Sequence, residues 1–376
     1  MSSDGPPGRD NTTPGDLPAE TGGELLGPRA KARPLPTSAS RGGKISIKDV
    51  ADLANVSIAT VSRVLNNPGL VAAPTADRVM RAVDQLGYRP NLFAKGLMTR
   101  RSRVLGVSLP DWSGDSYSDL MRGADERARE LGYHLLVSSN AHRGSGGDGM
   151  PPAFALDLVD GLMAMVTTRA SQELDALLKL NMPVVLLASA ADDVQVDTIE
   201  IDNYAGAHEA SLHLADGTPA DRCHFVGGPG GNRDAARRAS AFRDALAERG
   251  HTARADQINH GRWSFQWGWE WAGGMLKEDR LAGAAVLAGN DEIAFGITHR
   301  ALDAGLSVPG DVRVVGFDDS RTCALVVPPL SSVRVPNRPV GAEAVSALVG
   351  RLDDPGAPAV TRRLKTSLVI RESSRF

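Results

Sequence analysis

The sequence predicts an α/β protein: a small all-α helix-turn-helix module followed by two Rossmann-like lobes with parallel sheets. Three observations carry this prediction. The segment Ser46–Asn66, SIKDVADLANVSIATVSRVLN, holds two short helical patterns joined by a tight turn. From about Val104 onward, short apolar runs alternate with helical runs, as in parallel sheets covered by helices on both faces. A chain of 376 residues is long enough for a small module plus a body of two lobes.

Taken in order, residues 1–43 come first. They are rich in Pro, Gly, Ser and Thr, lack periodicity, and read as a disordered tail. The helical module is expected over 44–90. Ser46 with Asp49 forms a start resembling a capping box, the hydroxyl accepting a backbone N–H and the carboxylate sitting at the positive helix end. Ile47, Val50, Ala51 and Ala54 then recur at helical spacing. Asn55 tolerates a left-handed turn, and Ser57 is a second N-cap. Val61, Val64 and Leu65 form the inner face of the second helix, leaving Ile58, Ala59, Ser62, Arg63 and Asn66 outside. A face of small residues and hydroxyls with one Arg suits the DNA major groove, where bulk is penalised and hydrogen bonding rewarded. A third helix is expected over Thr75–Leu86, preceded by Pro74 and closed by Gly87. Residues 91–101 form a short hinge segment whose helix, interrupted by Gly96, is marginal on its own and orders only when docked.

Charge separates this module from an ordinary helical hairpin. Lys44–Arg103 contains ten Lys/Arg against four Asp/Glu, a net of plus six, whereas the whole chain carries −3. A basic module on a mildly acidic body is the electrostatic footprint of a nucleic-acid binder.

The body, 102–376, reads as repeated strand and helix. VLGVSL (Val104–Leu109), YHLLVSS, LVDGLMAMV, PVVLLAS, CHFVGG, AAVLAGN and VRVVGFD are strand patterns. Helices are expected over Leu120–Leu131, Gln172–Leu180, Ala235–Gly250 and Asp291–Ala304. Ligands of such sheets bind at the carboxyl ends of the strands. The two cysteines, Cys223 and Cys323, lack ligand-like spacing and read as free thiols of a reducing cytoplasm. No apolar run spans a bilayer and the N-terminus lacks a secretory h-region, so the expectation is a cytoplasmic protein with no membrane partner. No catalytic constellation, metal-ligand spacing or cofactor motif stands out. GGPGGN (Gly227–Asn232) lacks the GxxxxGK[ST] pattern of a phosphate loop.

DVADLANVSIATVSRVLNN, RVMRAVDQLGYRPN and the hinge region resemble the N-terminal module of the LacI–GalR family of transcription regulators. The body motifs DNYAG (Asp202–Gly206), GNDEIAFG (Gly289–Gly296), GLSVPGDVRVVGFDDS (Gly305–Ser320) and PPLSSVRVP (Pro328–Pro336) resemble the family's effector-binding core, whose fold is like that of periplasmic sugar-binding proteins. The resemblance covers nearly everything after residue 44. It implies a sequence-specific DNA-binding regulator, a repressor, whose operator affinity is controlled by a sugar or related polyol bound between the lobes. The implied partners are a near-palindromic double-stranded operator, a carbohydrate effector, and a second copy in a homodimer or dimer of dimers.

Residue by residue, the resemblance puts Ile58, Ala59 and Arg63 at base-reading positions and Thr60, Ser62 and Asn66 at the phosphates, with Ser57 also among the DNA-binding residues. Arg63 has the chemistry to reach a guanine bidentately, while Ile58 and Ala59 offer apolar contact only. In the hinge, Asn91, Ala94 and Leu97 fall on DNA-contacting positions, with Leu97 as the wedge between base pairs. Arg238, Trp263, Asn290 and Asp318 fall on effector-contacting positions: Trp263 as an aromatic platform for a sugar ring, Asp318 as an acceptor for two hydroxyls. Trp263, Trp267 and Trp271 are spaced to share one helical face. The chain departs from the family pattern at Ala188, where an acidic residue is usual, at Ala241, where Gly is usual, and over His142–Phe154, where Gly and Pro replace a helix. Family topology also implies that 336–358 returns to the first lobe. The competing readings are a solute-binding protein of the same body fold without a DNA role, and a small-molecule enzyme.

Overall fold

The computed structural model describes residues 45–89, 101–109, 115–139, 158–165, 177–187 except 178 and 181, and 195–375. The expectations for the tail, for the hinge residues Asn91, Ala94 and Leu97, for Ala188 and for 142–154 fall outside the described residues, as does most of the helix expected over Gln172–Leu180. The chain divides into two compact units between Arg89 and Pro90.

Among the described residues, the first unit holds three α-helices: α1 (Ile47–Ala54), α2 (Ile58–Asn66) and α3 (Ala73–Leu86). The capping box at the start of α1 is complete, with Ser46 Oγ accepting from Asp49 N–H and the Asp49 carboxylate accepting Ser46 N–H at 2.8 Å. Asn55 closes α1 in the left-handed region at φ 52°. Ser57 Oγ then accepts Thr60 N–H at 3.1 Å and starts α2. Helix α3 begins two residues before the expected Thr75. Pro74 therefore lies inside the first turn, where its missing N–H has no helical partner to lose. Gly87 at φ 59° ends α3. Val50, Ala51, Ala54, Val61, Val64, Val79 and Ala82 form the buried centre, so the expected inner faces of α1 and α2 meet α3.

Among the described residues, the second unit contains two six-stranded sheets. The first lobe holds β1 (Val104–Leu109), β2 (His134–Ser139), β3 (Gly161–Ala164), β4 (Val184–Leu187), β5 (Asp197–Ile201) and β11 (Thr361–Leu364), in the order β11-β5-β4-β3-β1-β2 and all parallel. The second holds β6 (Cys223–Gly227), β7 (Ile258–His260), β8 (Ala284–Ala288), β9 (Val312–Asp318), β10 (Ser331–Arg334) and β12 (Ser367–Val369), in the order β12-β10-β9-β8-β6-β7; only β12 is antiparallel. Helices α4 (Asp115–Glu130), α5 (Asn203–Ala215), α6 (Arg233–Glu248), α7 (Phe265–Lys277), α8 (Asp291–Asp303) and α9 (Asn337–Asp353) cover them. The central strands are buried on both faces, which is why they read as continuous apolar runs.

The chain passes between the lobes three times: from β5 into α5, from β10 into α9, and from β11 into β12. Helix α9 packs against α4 and the first sheet, so the return of this stretch to the first lobe holds. The α4–α9 contact is close enough for backbone to touch backbone. A Cβ added at Gly123 would lie 1.9 Å from Arg338 O, and one at Gly341 would lie 2.0 Å from Leu120 O.

Both cysteines are buried and free, and no helix among the described residues is long and apolar enough to cross a membrane. His224 in β6 is 1% exposed and meets the Trp271 ring edge-on at 5.6 Å. Burial pushes its pKa down from 6.5 to about 4. The unfolded chain binds a proton there that the native state refuses. The stability His224 contributes is therefore full above pH 6.5 and lost as pH falls toward 4. His224→Phe is expected to flatten this part of the acid-stability curve in urea titrations between pH 7 and 4; an unchanged slope would contradict the assignment.

Candidate nucleic-acid face and ligand cleft

On α2, Ile58 is 48% exposed, and Ala59, Arg63 and Asn66 are exposed beside it. Ser57 and Thr60 hydroxyls bond each other at 2.9 Å, and Asn66 Nδ2 donates to Ser62 Oγ at 3.4 Å. Of these, Ser62 and Asn66 belong to the face expected to lie outside, Asn66 exposed and Ser62 half-buried. The Arg63 guanidinium makes no hydrogen bond or ion pair among the described residues. The helix start offers hydroxyls and backbone N–H groups of the kind that hold phosphate.

The first described residues of the second unit, 101–103, form a built anchor. Arg101 donates to Leu352 O at 2.9 Å and pairs with Asp353 at 3.0 Å, both at the end of α9. The Asp160 carboxylate takes Ser102 N–H at 2.5 Å, Ser102 Oγ at 2.8 Å and Arg103 N–H at 2.9 Å. Arg103 stands at φ 58° with its guanidinium 5.0 Å from the Tyr133 ring centre. Asp160 is not legible as a clamp from the sequence, because its partners lie 57 and 58 residues away.

The four expected effector contacts converge at the carboxyl ends of β6, β8 and β9. Arg238, near the start of α6, is 6% exposed. Its Nε donates to Asn203 Oδ1 at 2.7 Å and its Nη1 to Gly289 O. Its guanidinium lies 3.6 Å from the Phe317 ring and 5.6 Å from the Trp263 ring. Burial works against this charge, and the carboxylates of Asp318, Asp234 and Asp291 favour it. The Trp263 indole lies across the loop after β6, where a Cβ at Gly228 would sit 2.1 Å from the ring. Asp318 ends β9 at φ 116°. Asn290 follows β8 and caps α8, its Oδ1 accepting Ile293 N–H at 3.0 Å, so this oxygen is already engaged.

The tryptophan pattern needs one correction. Trp263 is not on a helix with Trp267 and Trp271, because Ser264 caps α7 and places Trp263 before the first turn. Trp267 and Trp271 do pack into the core, and Trp267 Nε1 donates to Gly227 O at 3.1 Å. Trp269 stacks on Phe265 and lies 4.9 Å from the Arg300 guanidinium.

A cleft of about 190 Å³, open to solvent, lies where β10 passes into α9. Asp119 of α4 lines it from the first lobe, with Asp318, Asp319 and Ser320 from the second and 334–339 between. Of the four expected contacts, only Asp318 borders it. Asp319 pairs with Arg334 and with Arg371, each at 2.7 Å. Sequence reasoning also missed Asn203, Phe317 and Asp291, all inside quoted motifs but with no local pattern marking them.

A three-helix unit with an exposed Arg63 on its second helix, and a two-lobed core with polar and aromatic groups gathered at its strand ends, together define a ligand-responsive DNA-binding protein. Residues 46–91 match the family model described as bacterial regulatory proteins, lacI family, and 213–374 match a periplasmic binding protein-like domain. The chain belongs to the lacI family of bacterial regulatory proteins. Catabolite control protein A of Priestia megaterium is 31% identical over 331 residues, 88% of this chain and 99% of that one. The transcriptional repressor PurR of Pasteurella multocida is 26% identical, over 87% of this chain and 98% of its own. The lac repressor dimer bound to operator and the anti-inducer ONPF superposes with a TM-score of 0.77 at 26% identity, covering 88% of this chain and 99% of that one. This protein is accordingly a DNA-binding transcription regulator with a ligand-binding core, not an enzyme. The match over 46–91 also decides against a solute-binding protein without a DNA role.

Proposed function

We propose that the protein is a repressor that binds a near-palindromic operator as a homodimer, with operator affinity set by a carbohydrate or polyol held between the lobes. The observation that carries the DNA part is the outer face of α2, where Arg63 stands exposed beside Ile58 and Ala59. Arg63 reads a guanine; Ile58 and Ala59 make apolar contacts; Ser57, Thr60, Ser62 and Asn66 set the register on phosphates. Asn91, Ala94 and Leu97 contact the minor groove when the hinge 91–101 becomes helical between the 44–90 module and the 102–376 core.

The effector part rests on the convergence of Arg238, Trp263, Asn290 and Asp318. An indole face packs on the C–H face of a pyranose, and a carboxylate takes two hydroxyls. Solved relatives described as a lac repressor bound to ONPG and as a CelR–cellobiose complex favour the same ligand class. For dimerisation, Leu325 and Val327 are 78% and 86% exposed on a loop whose ends are pinned by buried Cys323 and Leu330. Apolar side chains so exposed fit an interface with a second copy. A regulator of this kind works in the cytoplasm, on DNA.

The test is selection of an operator from a random duplex library, followed by gel-shift titration of Arg63→Ala. One bidentate contact is worth about 1–3 kcal/mol, so discrimination at one base pair should fall roughly 10- to 100-fold while non-specific affinity barely changes. Full retention of selectivity by Arg63→Ala would overturn the reading assignment.

A further inference from the structure

The loop after β9 holds Asp318 and Asp319 at φ 116° and 54°, both in the left-handed region. Two successive non-glycine residues stay there only where the surroundings hold them. The groups that do so lead to Asp291, the first residue of α8, which is 3% exposed. Its Oδ2 accepts Ser320 N–H at 2.7 Å, and its Oδ1 accepts the Ser332 hydroxyl at 2.6 Å. Ser332, fully buried, accepts Asp319 N–H on the same oxygen at 3.0 Å. A hydroxyl has one proton. Because the Asp291 carboxylate takes it, the Ser332 lone pairs are left for Asp319 N–H. The carboxylate also packs on Gly316 of β9, where a Cβ would lie 2.3 Å from Oδ1. The space and the hydrogen bonds therefore match at this one position.

We infer that Asp291 is a positioning residue for effector recognition: acting through Ser320 and Ser332, it fixes the loop 318–320 and so aims the Asp318 carboxylate at the ligand. The inference rests on the reading of Asp318 as a ligand contact. Burial pushes the Asp291 carboxyl up to about 6, with the bonds from Ser332 and Ser320 opposing. Facing it are Arg238 from α6 and Cys323 from the turn after β9. Protonation gives Oδ1 or Oδ2 a donor and frees the Ser332 hydroxyl to rotate.

The experiment is amide hydrogen exchange on the full chain, for wild type, Asp291→Asn and Ser332→Ala. In Asp291→Asn the amides of Asp319 and Ser320 should exchange at least tenfold faster, with Val314 in β9 unchanged. In Ser332→Ala the Asp319 amide should respond and Ser320 should not. In wild type, protection of both amides should fall as pH drops through about 6, after correction for intrinsic rates, and Asp291→Asn should lack this step. A purely structural role would not produce the step. Wild-type protection at every pH in folded Asp291→Asn and Ser332→Ala would overturn the inference; if Asp291→Asn fails to fold, Ser332→Ala and the wild-type pH profile decide. A second arm measures thermal shifts with free pentoses, hexoses and disaccharides. Asp291→Asn should weaken sugar binding at least tenfold in the wild-type background and no further in Asp318→Asn. Normal binding by Asp318→Asn would sink the Asp318 reading itself, whereas loss in Asp318→Asn with wild-type binding by Asp291→Asn would sink the positioning role alone.

Discussion

Arg351→Ala should lower the unfolding free energy by about 3–5 kcal/mol, the cost of leaving one partner of a buried ion pair alone. Arg351 and Asp197 side chains are only 16% and 7% exposed, and the guanidinium meets the carboxylate through Nε at 2.8 Å and Nη2 at 3.0 Å. Arg351 also donates to Pro358 O and Ala357 O, and Asp197 takes Val360 N–H at 2.9 Å. One pair thus ties the last turn of α9 to β5 and to the chain entering β11. Removing the guanidinium leaves the Asp197 charge buried with a single N–H. Arg351→Lys keeps the charge without the two-pronged geometry and should fall between wild type and Ala. Urea denaturation checks this: the midpoint should drop with the slope unchanged. Because Arg101 docks on the same turn of α9, operator affinity should fall with stability; a loss under about 1 kcal/mol would mean that water screens the pair as it does on a surface.

Gly341→Ala and Gly123→Ala should each destabilise by about 2–3 kcal/mol. An alanine in a helix interior gains about 1 kcal/mol over glycine, which works against this loss. Here the new methyl would meet a carbonyl oxygen at 2.0 or 1.9 Å, and the obstacle is backbone of the facing helix, which no rotamer change moves aside. The helices must separate by about an ångström, and packing along the whole α4–α9 seam loosens with them. The effects should not add: once the first methyl has parted the helices, the second finds room, and the double variant should cost less than the sum. Additive losses would mean that the two contacts relax independently.

Much of the local structure was readable because its causes are local. Ser46, Asn55, Ser57 and Gly87 mark helix ends by their own hydrogen bonding and dihedral preferences, and all four do so in the fold. The runs at Val104, Cys223, Ala284 and Val312 read as strands because burial on both faces leaves no polar alternation. What escaped depends on distant partners. Strand β11, mostly exposed and rich in Arg, becomes a strand only because β5 offers an edge. The Asp160 clamp and the Asp291–Ser332 relay join residues far apart in sequence, so no window along the chain contains them. Trp263 was misplaced for a smaller reason: the spacing to Trp267 suggested one helix, while Ser264, a good N-cap, marked the start after it. Of the four ligand candidates, Asn290 and Asp318 were foreseen at strand ends, but not that Arg238 and Asn290 would be partly engaged by Gly289 O and Ile293 N–H.

The threefold passage of the chain between the lobes has a consequence for synthesis. Neither lobe is a contiguous stretch of sequence: the first waits for α9 and β11, and the second for β12 and the buried Ser373 and Ser374. On the ribosome, where earlier segments ordinarily fold first, both sheets must remain with an open edge until nearly the whole chain has emerged. A message cut short anywhere before residue 361 yields two unfinished lobes rather than one finished lobe and one missing. The three-helix unit, closed by local contacts, can complete itself early, whereas both lobes of the core wait for β11 and β12.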